Sequence, residues 1–316
     1  MYCHFRKISV AVSRIFLVLA LTVIVASIFL LIQPLGEHTL PVQPERRFDG
    51  ASALEFIRQQ VAFGPRYVGS PGHDQVAEFL EKTMKQYSDE TIIQQGDHLT
   101  NIIGRLNPSN SRRILLVTHY DSRQFASLDT EHPKEPVIGA NNSASGVAVL
   151  LQLAQMIQNK TISPSVGVDI ALFDGEEWDV DHPSDGSWRP LGSSYFVEHL
   201  KELYPNDLPI VAIDLDLVCS KTMALYQEQS SLERARSSVE TFWRIARSRW
   251  PAEFIDSVKW NILDDHTVLN VAGIPSMLLI DYDYPWIHTT QDTIDKCSAK
   301  SLEAVGDSLL RFLETL

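Results

Sequence analysis

The chain has 316 residues, of which 44% are hydrophobic, and its formal net charge at pH 7 is −13. A chain of this length can bury one large hydrophobic core or two small ones, and a single globular domain is the simpler interpretation. The excess of acidic residues argues against nucleic acid as a partner, because binding to a phosphate backbone depends on Lys and Arg side chains. Three cysteines are too few for a disulfide framework. Sequence alone leaves open whether Cys219 and Cys297 pair.

The N-terminal segment predicts a membrane anchor. Residues 15–33 form an uncharged apolar run, and a helix of about 20 such residues is long enough to cross a bilayer. Arg6, Lys7 and Arg14 precede this run, so the positive-inside rule places the N-terminus in the cytoplasm. The alternative is a cleaved signal peptide, but the run is long for one and lacks a clear cleavage site. The predicted divisions are a cytoplasmic tail (1–14), a transmembrane anchor (15–33), a linker (34–47) and a folded domain (48–316).

This division predicts a single-pass type II membrane protein that contacts the membrane through its N-terminal helix. The folded domain is then extracytoplasmic, which means periplasmic in a bacterium or lumenal in a eukaryote.

Apolar periodicity in the folded domain predicts alternating helices and strands. The predicted helices are 51–62, 72–87, 144–158, 192–203, 231–248 and 300–315. The predicted strands are 90–95, 99–106, 113–119, 166–173, 210–217 and 275–280. Strands that alternate with helices indicate an α/β fold, in which helices on both faces of a central, twisted, mostly parallel mixed sheet form three layers.

Acidic residues or histidine follow most of the central strands, and ligands bind at the carboxyl ends of strands in such folds. An acidic pair at one strand end is ordinarily a solvated turn, but several such clusters at one sheet edge indicate a metal site. Histidine nitrogens and carboxylate oxygens are ligands that zinc takes in proteins. The clusters are His119-Tyr120-Asp121, Asp174-Gly175-Glu176-Glu177, Asp216, Asp264-Asp265-His266, and His288 within "DYDYPWIHTT".

Several motifs resemble, in their order and spacing, the zinc-dependent exopeptidases, a family that includes dinuclear aminopeptidases and glutaminyl cyclases. They are "VTHYDS", "GANNSASGVAVLLQLA", "LFDGEEW", "LGSSYF", "DLDLV", "DDHTVLNVAGIP" and "WIHTTQDTID". The resemblance covers roughly residues 50–316. It implies that Asn142, Glu177 and His288 occupy the ligand positions of one zinc ion, and that Glu176 is the general base.

The two branches of the family differ in what they imply for the neighbouring residues. In the aminopeptidase branch, His119 and Asp216 would hold a second metal ion. In the cyclase branch, Asp216 and Asp264 would form a hydrogen-bonded acidic relay beside Glu176.

Three further side chains, Trp178, Trp286 and His266, are predicted to line the substrate pocket. Tryptophans in such loops also serve simply to pack the loops onto the core. The loop that follows Trp178 departs from the cyclase pattern in length and content.

Asn142 stands where this family normally has an aspartate ligand. An amide oxygen is neutral, and it is therefore a weaker zinc ligand than a carboxylate. Two metal ions held about 3.5–4 Å apart need a bridging anion to offset their repulsion, so the substitution favours one zinc ion or none.

Three functions remain open at this point. The favoured one is a glutaminyl cyclase that converts N-terminal Gln of peptides or proteins to pyroglutamate and releases ammonia, with Glu176 carrying the proton. The second is a zinc aminopeptidase that removes N-terminal residues, with Glu176 as base. The third is a binding protein that has kept the fold and lost the metal.

Overall fold

The computed structural model describes residues 48–178 and 188–316. The predicted tail, anchor and linker lie outside these residues, as does part of the loop after Trp178. Among the helices that are described, none combines the length and the apolar character needed to span a membrane.

The secondary structure begins with helices whose ends are set by capping side chains. The Asp49 carboxylate accepts hydrogen bonds from the backbone N–H groups of Ala51 and Ser52, both at 3.0 Å, and Ser70 caps the next helix. The helices are α1 (Gly50–Val61), α2 (Pro71–Tyr87), α3 (Ala144–Gln158), α4 (Leu191–Glu198), α5 (Leu200–Leu203), α6 (Gln229–Arg247), α7 (Asp265–Val271) and α8 (Ala299–Leu313). The strands are β1 (Glu90–Gly96), β2 (Leu99–Leu106), β3 (Arg113–His119), β4 (Gly167–Phe173), β5 (Ala212–Asp216), β6 (Leu225–Glu228), β7 (Phe254–Trp260) and β8 (Ser276–Ile280).

Two predictions about these elements need correction. The helix predicted at 192–203 is interrupted at His199, whose backbone angles (φ −107°, ψ 15°) leave the helical range and separate α4 from α5. The sequence also did not predict β6 and β7. Most residues of β7 are partly or fully exposed, so this strand carries no apolar run.

The main sheet has six strands in the order β1-β2-β4-β3-β5-β8. Strands β4, β3, β5 and β8 run parallel to one another, whereas β1 and β2 add to the edge in antiparallel pairings. Strands β6 and β7 form a separate two-stranded parallel sheet. The prediction of a mostly parallel mixed sheet is therefore confirmed.

Helices cover both faces of this sheet. Along β3, Ile114 and Leu116 pack into a core with apolar residues of α1, α2, α3, α6 and α8. The alternate residues Leu115 and Val117 pack into a second core with α4, α5 and α7. Because successive side chains of a strand point to opposite faces, one apolar strand supplies both cores, as the three-layer prediction requires.

The parallel direction of β3, β4, β5 and β8 brings their carboxyl ends to one edge of the sheet. The loop after β5 is linked near this edge to a short 3₁₀ turn (Ile294–Lys296) by a disulfide between Cys219 and Cys297. The Cα atoms of the two cysteines lie 4.6 Å apart, which is within the usual range for a disulfide. The structure thus settles the pairing that the sequence left open.

Candidate active site

A cavity of about 340 Å³ opens at the carboxyl ends of the parallel strands. The structure brings six of the residues predicted from sequence together on its lining, although their chemical roles stay predictions. They are Asn142, Glu176, Glu177, Asp216, Asp264 and His288. His119 lies next to them, with its Nε2 atom 3.6 Å from Asp216 Oδ1.

Glu177 is the centre of a compact group of polar contacts. The side-chain Nδ2 of Asn142 donates a hydrogen bond to Glu177 Oε1 at 2.7 Å, and His288 Nε2 lies 3.2 Å from the same oxygen. The other oxygen, Oε2, is paired with the guanidinium of Arg123. Burial by itself raises the pKa of Glu177, but His288 and Arg123 outweigh burial and hold this pKa well below its usual range. Glu177 is therefore an ionised carboxylate at neutral pH.

Two residues that the sequence analysis did not identify fix the loop that carries Asn142. The carboxylate of Asp292 accepts hydrogen bonds from the backbone N–H groups of Asn141 at 2.9 Å and Asn142 at 3.0 Å. The wholly buried guanidinium of Arg66 donates to two carbonyl groups just before them in the same loop, at 2.6 and 2.7 Å. Asp292 lies within the "WIHTTQDTID" motif, and its position there could have identified it as a site residue. No sequence motif includes Arg66.

Asn142, Glu177 and His288 supply an amide oxygen, a carboxylate and an imidazole, and the last two are usual zinc ligands. The side chains of Asn142 and His288 both contact Glu177 Oε1, and the Oδ1 atom of Asn142 is buried without a hydrogen-bond partner among the described residues. Within the part of the chain that the structure describes, however, no group of three or more His, Cys, Asp or Glu side chains could hold a metal ion. One carboxylate, already paired with Arg123, supplies all the negative charge of this donor set.

The neighbouring Glu176 has the opposite electrostatic character. Its pKa is raised well above the usual value by burial and by the charge of Glu177, and His119 opposes this only in part. The backbone N–H groups of Glu176 and Glu177 both donate to the carboxylate of Asp121 at 3.1 Å. The turn after β4 thus holds two adjacent carboxyl groups whose pKa values are pushed apart.

The imidazole of His119 lies close to the carboxyl groups of Asp121, Asp216 and Glu176. Its Nδ1 atom lies 3.2 Å from Asp121 Oδ1, and its Nε2 atom lies 4.0 Å from Glu176 Oε2. Burial favours the neutral imidazole, but Asp121, Asp216 and Glu176 together raise the pKa of His119 well above its usual value. A protonated His119 therefore balances part of the negative charge in the site.

Additional buried carboxyl groups lie at the start of α7. Burial and the charge of Asp216 raise the pKa of Asp264 to about 6. Burial and the charge of Asp264 raise the pKa of Asp265 to about 8. The start of α7, where Asp264 lines the cavity, therefore holds carboxyl groups that exchange protons near neutral pH.

The three residues predicted for the substrate pocket do not line this cavity. His266 is fully buried, where its Nε2 atom contacts Ser230 Oγ at 2.9 Å and Glu228 Oε2 at 3.3 Å, so a role of His266 in the substrate pocket stays a prediction. Trp178 stacks on the ring of His98 and faces a smaller neighbouring cavity. Trp286 is 38% exposed, and the ammonium of Lys296 lies 5.3 Å from its ring.

Other apolar side chains form the wall instead. They are Trp188, Trp260, Ile262, Leu263, Tyr282 and Ile287. Trp260 ends the unpredicted strand β7, and no sequence pattern pointed to it.

Comparison with known proteins gives this site a family context. The glutaminyl-peptide cyclotransferase of Drosophila melanogaster is 27% identical over 72% of this chain and 70% of its own length. The crystal structure of Tannerella forsythia glutaminyl cyclase superposes with a TM-score of 0.79 at 32% identity, over 85% of this chain and 99% of that one. A Zn-dependent exopeptidase from Parabacteroides distasonis gives a TM-score of 0.79 at 30% identity with the same coverage. The model of peptidase family M28 matches residues 101–313, which include each of the cavity carboxylates described above, so this chain belongs to peptidase family M28.

Proposed function

We propose that this protein is a glutaminyl-cyclase-like enzyme that acts on the N-terminal Gln of peptides or proteins. The observation that carries the proposal is the pair of adjacent carboxyl groups after β4. Glu177 is held ionised by His288 and Arg123, whereas the pKa of Glu176 is raised well above its usual value. Two carboxyl groups with pKa values pushed apart are typical of an acid/base site. The similarity to glutaminyl cyclases from several organisms supports the same reaction.

In this reaction the α-amine of the substrate attacks the carbonyl carbon of its own side-chain amide. A C–N bond closes the five-membered ring, the bond to the amide nitrogen breaks, and ammonia leaves. Glu176 takes a proton from the attacking amine and returns it to the leaving nitrogen, which requires a carboxyl group with a pKa near neutrality. Asp264, whose pKa is about 6, adds negative charge near Glu176 and so keeps that pKa high.

Zinc is the proposed cofactor, with Asn142, Glu177 and His288 as the residues that would hold it. When bound, the ion would polarise the carbonyl group under attack. Support comes from the contacts of Asn142 and His288 with the same oxygen of Glu177 and from the similarity to a Zn-dependent exopeptidase. The loss of one carboxylate relative to the family pattern predicts weak binding.

The test is an incubation of the purified protein with a Gln-Ala-Ala peptide, with zinc and with a chelator, followed by ammonia release and mass spectrometry of the peptide. Cyclisation releases ammonia and leaves one product peptide, and we expect it only with zinc. Release of free glutamine would show peptidase activity instead. If neither the native protein nor Asn142→Asp converts the peptide with zinc present, the enzyme proposal is refuted and the binding-protein alternative remains.

A zinc aminopeptidase is the second candidate. It is favoured by the 3.6 Å approach of His119 to Asp216, because these are the residues predicted to hold a second metal ion. The neutral amide of Asn142 at the bridging position weighs against it. A metal content of at most one ion per chain at saturating zinc would rule out the dinuclear form.

We also propose that residues 15–33 anchor the protein in a membrane with the folded domain outside the cytoplasm. Two features support this placement: the positive charges before the apolar run and the Cys219–Cys297 disulfide, since disulfides persist in oxidising compartments. Digestion of intact cells or sealed vesicles with an external protease tests it. If the protease reaches the outer surface of the membrane and still leaves the folded domain intact, the proposed placement is contradicted.

A further inference from the structure

His288 lies on a segment whose two ends are joined to each other by a side-chain hydrogen bond. The hydroxyl of Tyr284, four residues before His288, donates to Oδ1 of Asp292, four residues after it, at 2.9 Å. Both side chains are buried, with 2% and 0% of their residue surface exposed. Residues 284–292, which we call the His288 segment, therefore form a closed loop around one of the proposed zinc ligands.

The backbone of His288 has a conformation that its surroundings must hold. Its φ of 52° lies in the left-handed region, which residues other than glycine rarely adopt. Conformations of this kind persist only where neighbouring contacts fix them. One such contact is the N–H of Leu128, which donates to the His288 carbonyl at 3.1 Å. The Tyr284–Asp292 hydrogen bond closes the segment on its buried side.

Asp292 also joins the His288 segment to the loop that carries Asn142. Its two carboxylate oxygens accept hydrogen bonds from the backbone N–H groups of Asn141 at 2.9 Å and Asn142 at 3.0 Å. The side chains of Asn142 and His288 both contact the same oxygen of Glu177. The placement of Asp292 therefore affects the separation between two of the proposed zinc ligands.

The ring of Tyr284 links Asp292 to the main sheet. It packs in a small apolar cluster with Leu217, Leu278 and Ile280, and the last two residues belong to β8. Among the described residues, the other donors to the Asp292 carboxylate are the two backbone N–H groups of the neighbouring loop. The Tyr284 hydroxyl is thus the donor that ties this carboxylate to a strand.

We propose that Tyr284 is a positioning residue that sets the affinity of the site for zinc. Its hydroxyl holds Asp292, and Asp292 in turn fixes the loop with Asn142 relative to the segment with His288. This inference rests on the zinc site of the proposed function. Residues that orient metal ligands from outside the coordination sphere typically contribute about 10–100-fold to metal affinity. Preorganisation matters more in this site because Glu177 is its single negatively charged ligand.

The test compares two variants that lose the same chemical group. Tyr284→Phe removes the hydroxyl and keeps the ring. Tyr204→Phe is the matched control, because Tyr204 is also buried and its hydroxyl donates to the buried carboxylate of Asp169 at 2.7 Å. Asp169 lies in the first half of β4, whereas the cavity is at the carboxyl end of that strand. The zinc dissociation constant is measured on zinc-free protein by competition with a chromophoric chelator, and urea unfolding in chelator measures the stability of each variant without metal.

Both variants should unfold at a lower urea concentration than the native protein, since each loses a buried hydrogen bond. We expect the zinc dissociation constant to rise by about tenfold in Tyr284→Phe and to stay unchanged in Tyr204→Phe. A dissociation constant equal to that of the native protein in Tyr284→Phe would overturn the proposal. An equal rise in Tyr204→Phe would also overturn it, because the effect would then follow from lower stability alone.

Failure of the proposed function gives a different result, because this titration needs no substrate. A protein that binds zinc and does not cyclise Gln-Ala-Ala refutes the cyclase proposal, while the dissociation constants still decide the role of Tyr284. If the native protein binds zinc too weakly to titrate, both substitutions are made in Asn142→Asp, which supplies a carboxylate at that ligand position. Absence of zinc binding in that background as well would overturn the inference.

Discussion

Asn142→Asp should convert the site from one that is stable without metal into one that depends on zinc. In the native protein, Asn142 Nδ2 donates to Glu177 Oε1 at 2.7 Å. The substitution replaces this donor by a second carboxylate. Two buried unit charges about 4 Å apart repel by about 4 kcal/mol at an effective dielectric constant of about 20, and a charge-assisted hydrogen bond worth about 1.5–3 kcal/mol is lost as well.

Protonation of one carboxyl group relieves part of this repulsion, so we expect a net loss of about 3 kcal/mol in the free energy of unfolding at neutral pH. Zinc should reverse the loss. A ligand present at about one hundred times its dissociation constant stabilises the folded state by about 2.7 kcal/mol. In excess zinc, the variant should therefore be about as stable as the native protein.

Urea unfolding of both proteins at pH 7.5, in a chelator and in zinc, measures these differences. Asn141→Asp is the matched control, because Asn141 precedes Asn142 and its side-chain oxygen accepts from Cys219 N–H at 2.9 Å rather than facing Glu177. We expect this control to lose stability in both conditions without recovery in zinc. If Asn142→Asp is as stable as the native protein in chelator, or gains no more from zinc than the native protein does, the reasoning about the charge at this position is refuted.

Three other predictions concern carboxyl groups in the cavity or next to it. Glu176→Gln should lower kcat for Gln-peptides by about 10²–10⁴ with zinc content unchanged; activity within a factor of three of native would exclude Glu176 as the proton carrier. Arg123→Gln leaves Glu177 without its buried ion pair, since the two side chains are 6% and 4% exposed, and should cost about 3–5 kcal/mol in urea unfolding. Because the pKa of Glu177 is lowered in the folded state, its contribution to stability is present above its unfolded pKa and is lost as pH falls through the folded pKa. The free energy of unfolding of Arg123→Gln should therefore fall less than that of the native protein as the pH is lowered. If the free energy of unfolding depends on pH in the same way in both proteins, the result counts against the pairing of Arg123 with Glu177. Asp265 has a raised pKa of about 8, so its favourable contribution is full below its unfolded pKa and is lost as pH rises through the folded value. Asp265→Asn should unfold at a higher temperature than the native protein at pH 9, and the difference in unfolding temperature should be smaller at pH 5. The same difference in unfolding temperature at both pH values would contradict the raised pKa.

Strands that are buried on both faces can be predicted from this sequence by their apolar runs. Strands β3 and β4 are fully buried, and such strands carry apolar runs that local patterns reveal. Strand β7 is exposed along most of its length and carries no such run. As a result, its final residue, Trp260, could not be placed in the site from sequence.

By itself, the sequence determined the α/β class, the mostly parallel sheet and the polar residues at its carboxyl edge, because hydrophobic periodicity and residue type are local properties of the chain. The sequence also showed Asn142 at a position where the family normally has an aspartate, and the proposed metal site therefore carries one negative charge fewer than the family pattern. Only the tertiary structure decided that Arg123 pairs with Glu177, that Asp292 holds the Asn142 loop and that His266 is buried. Each of these depends on contacts between segments distant along the chain, and the electrostatic state of a carboxyl group is set by its neighbours in space rather than by its neighbours in sequence.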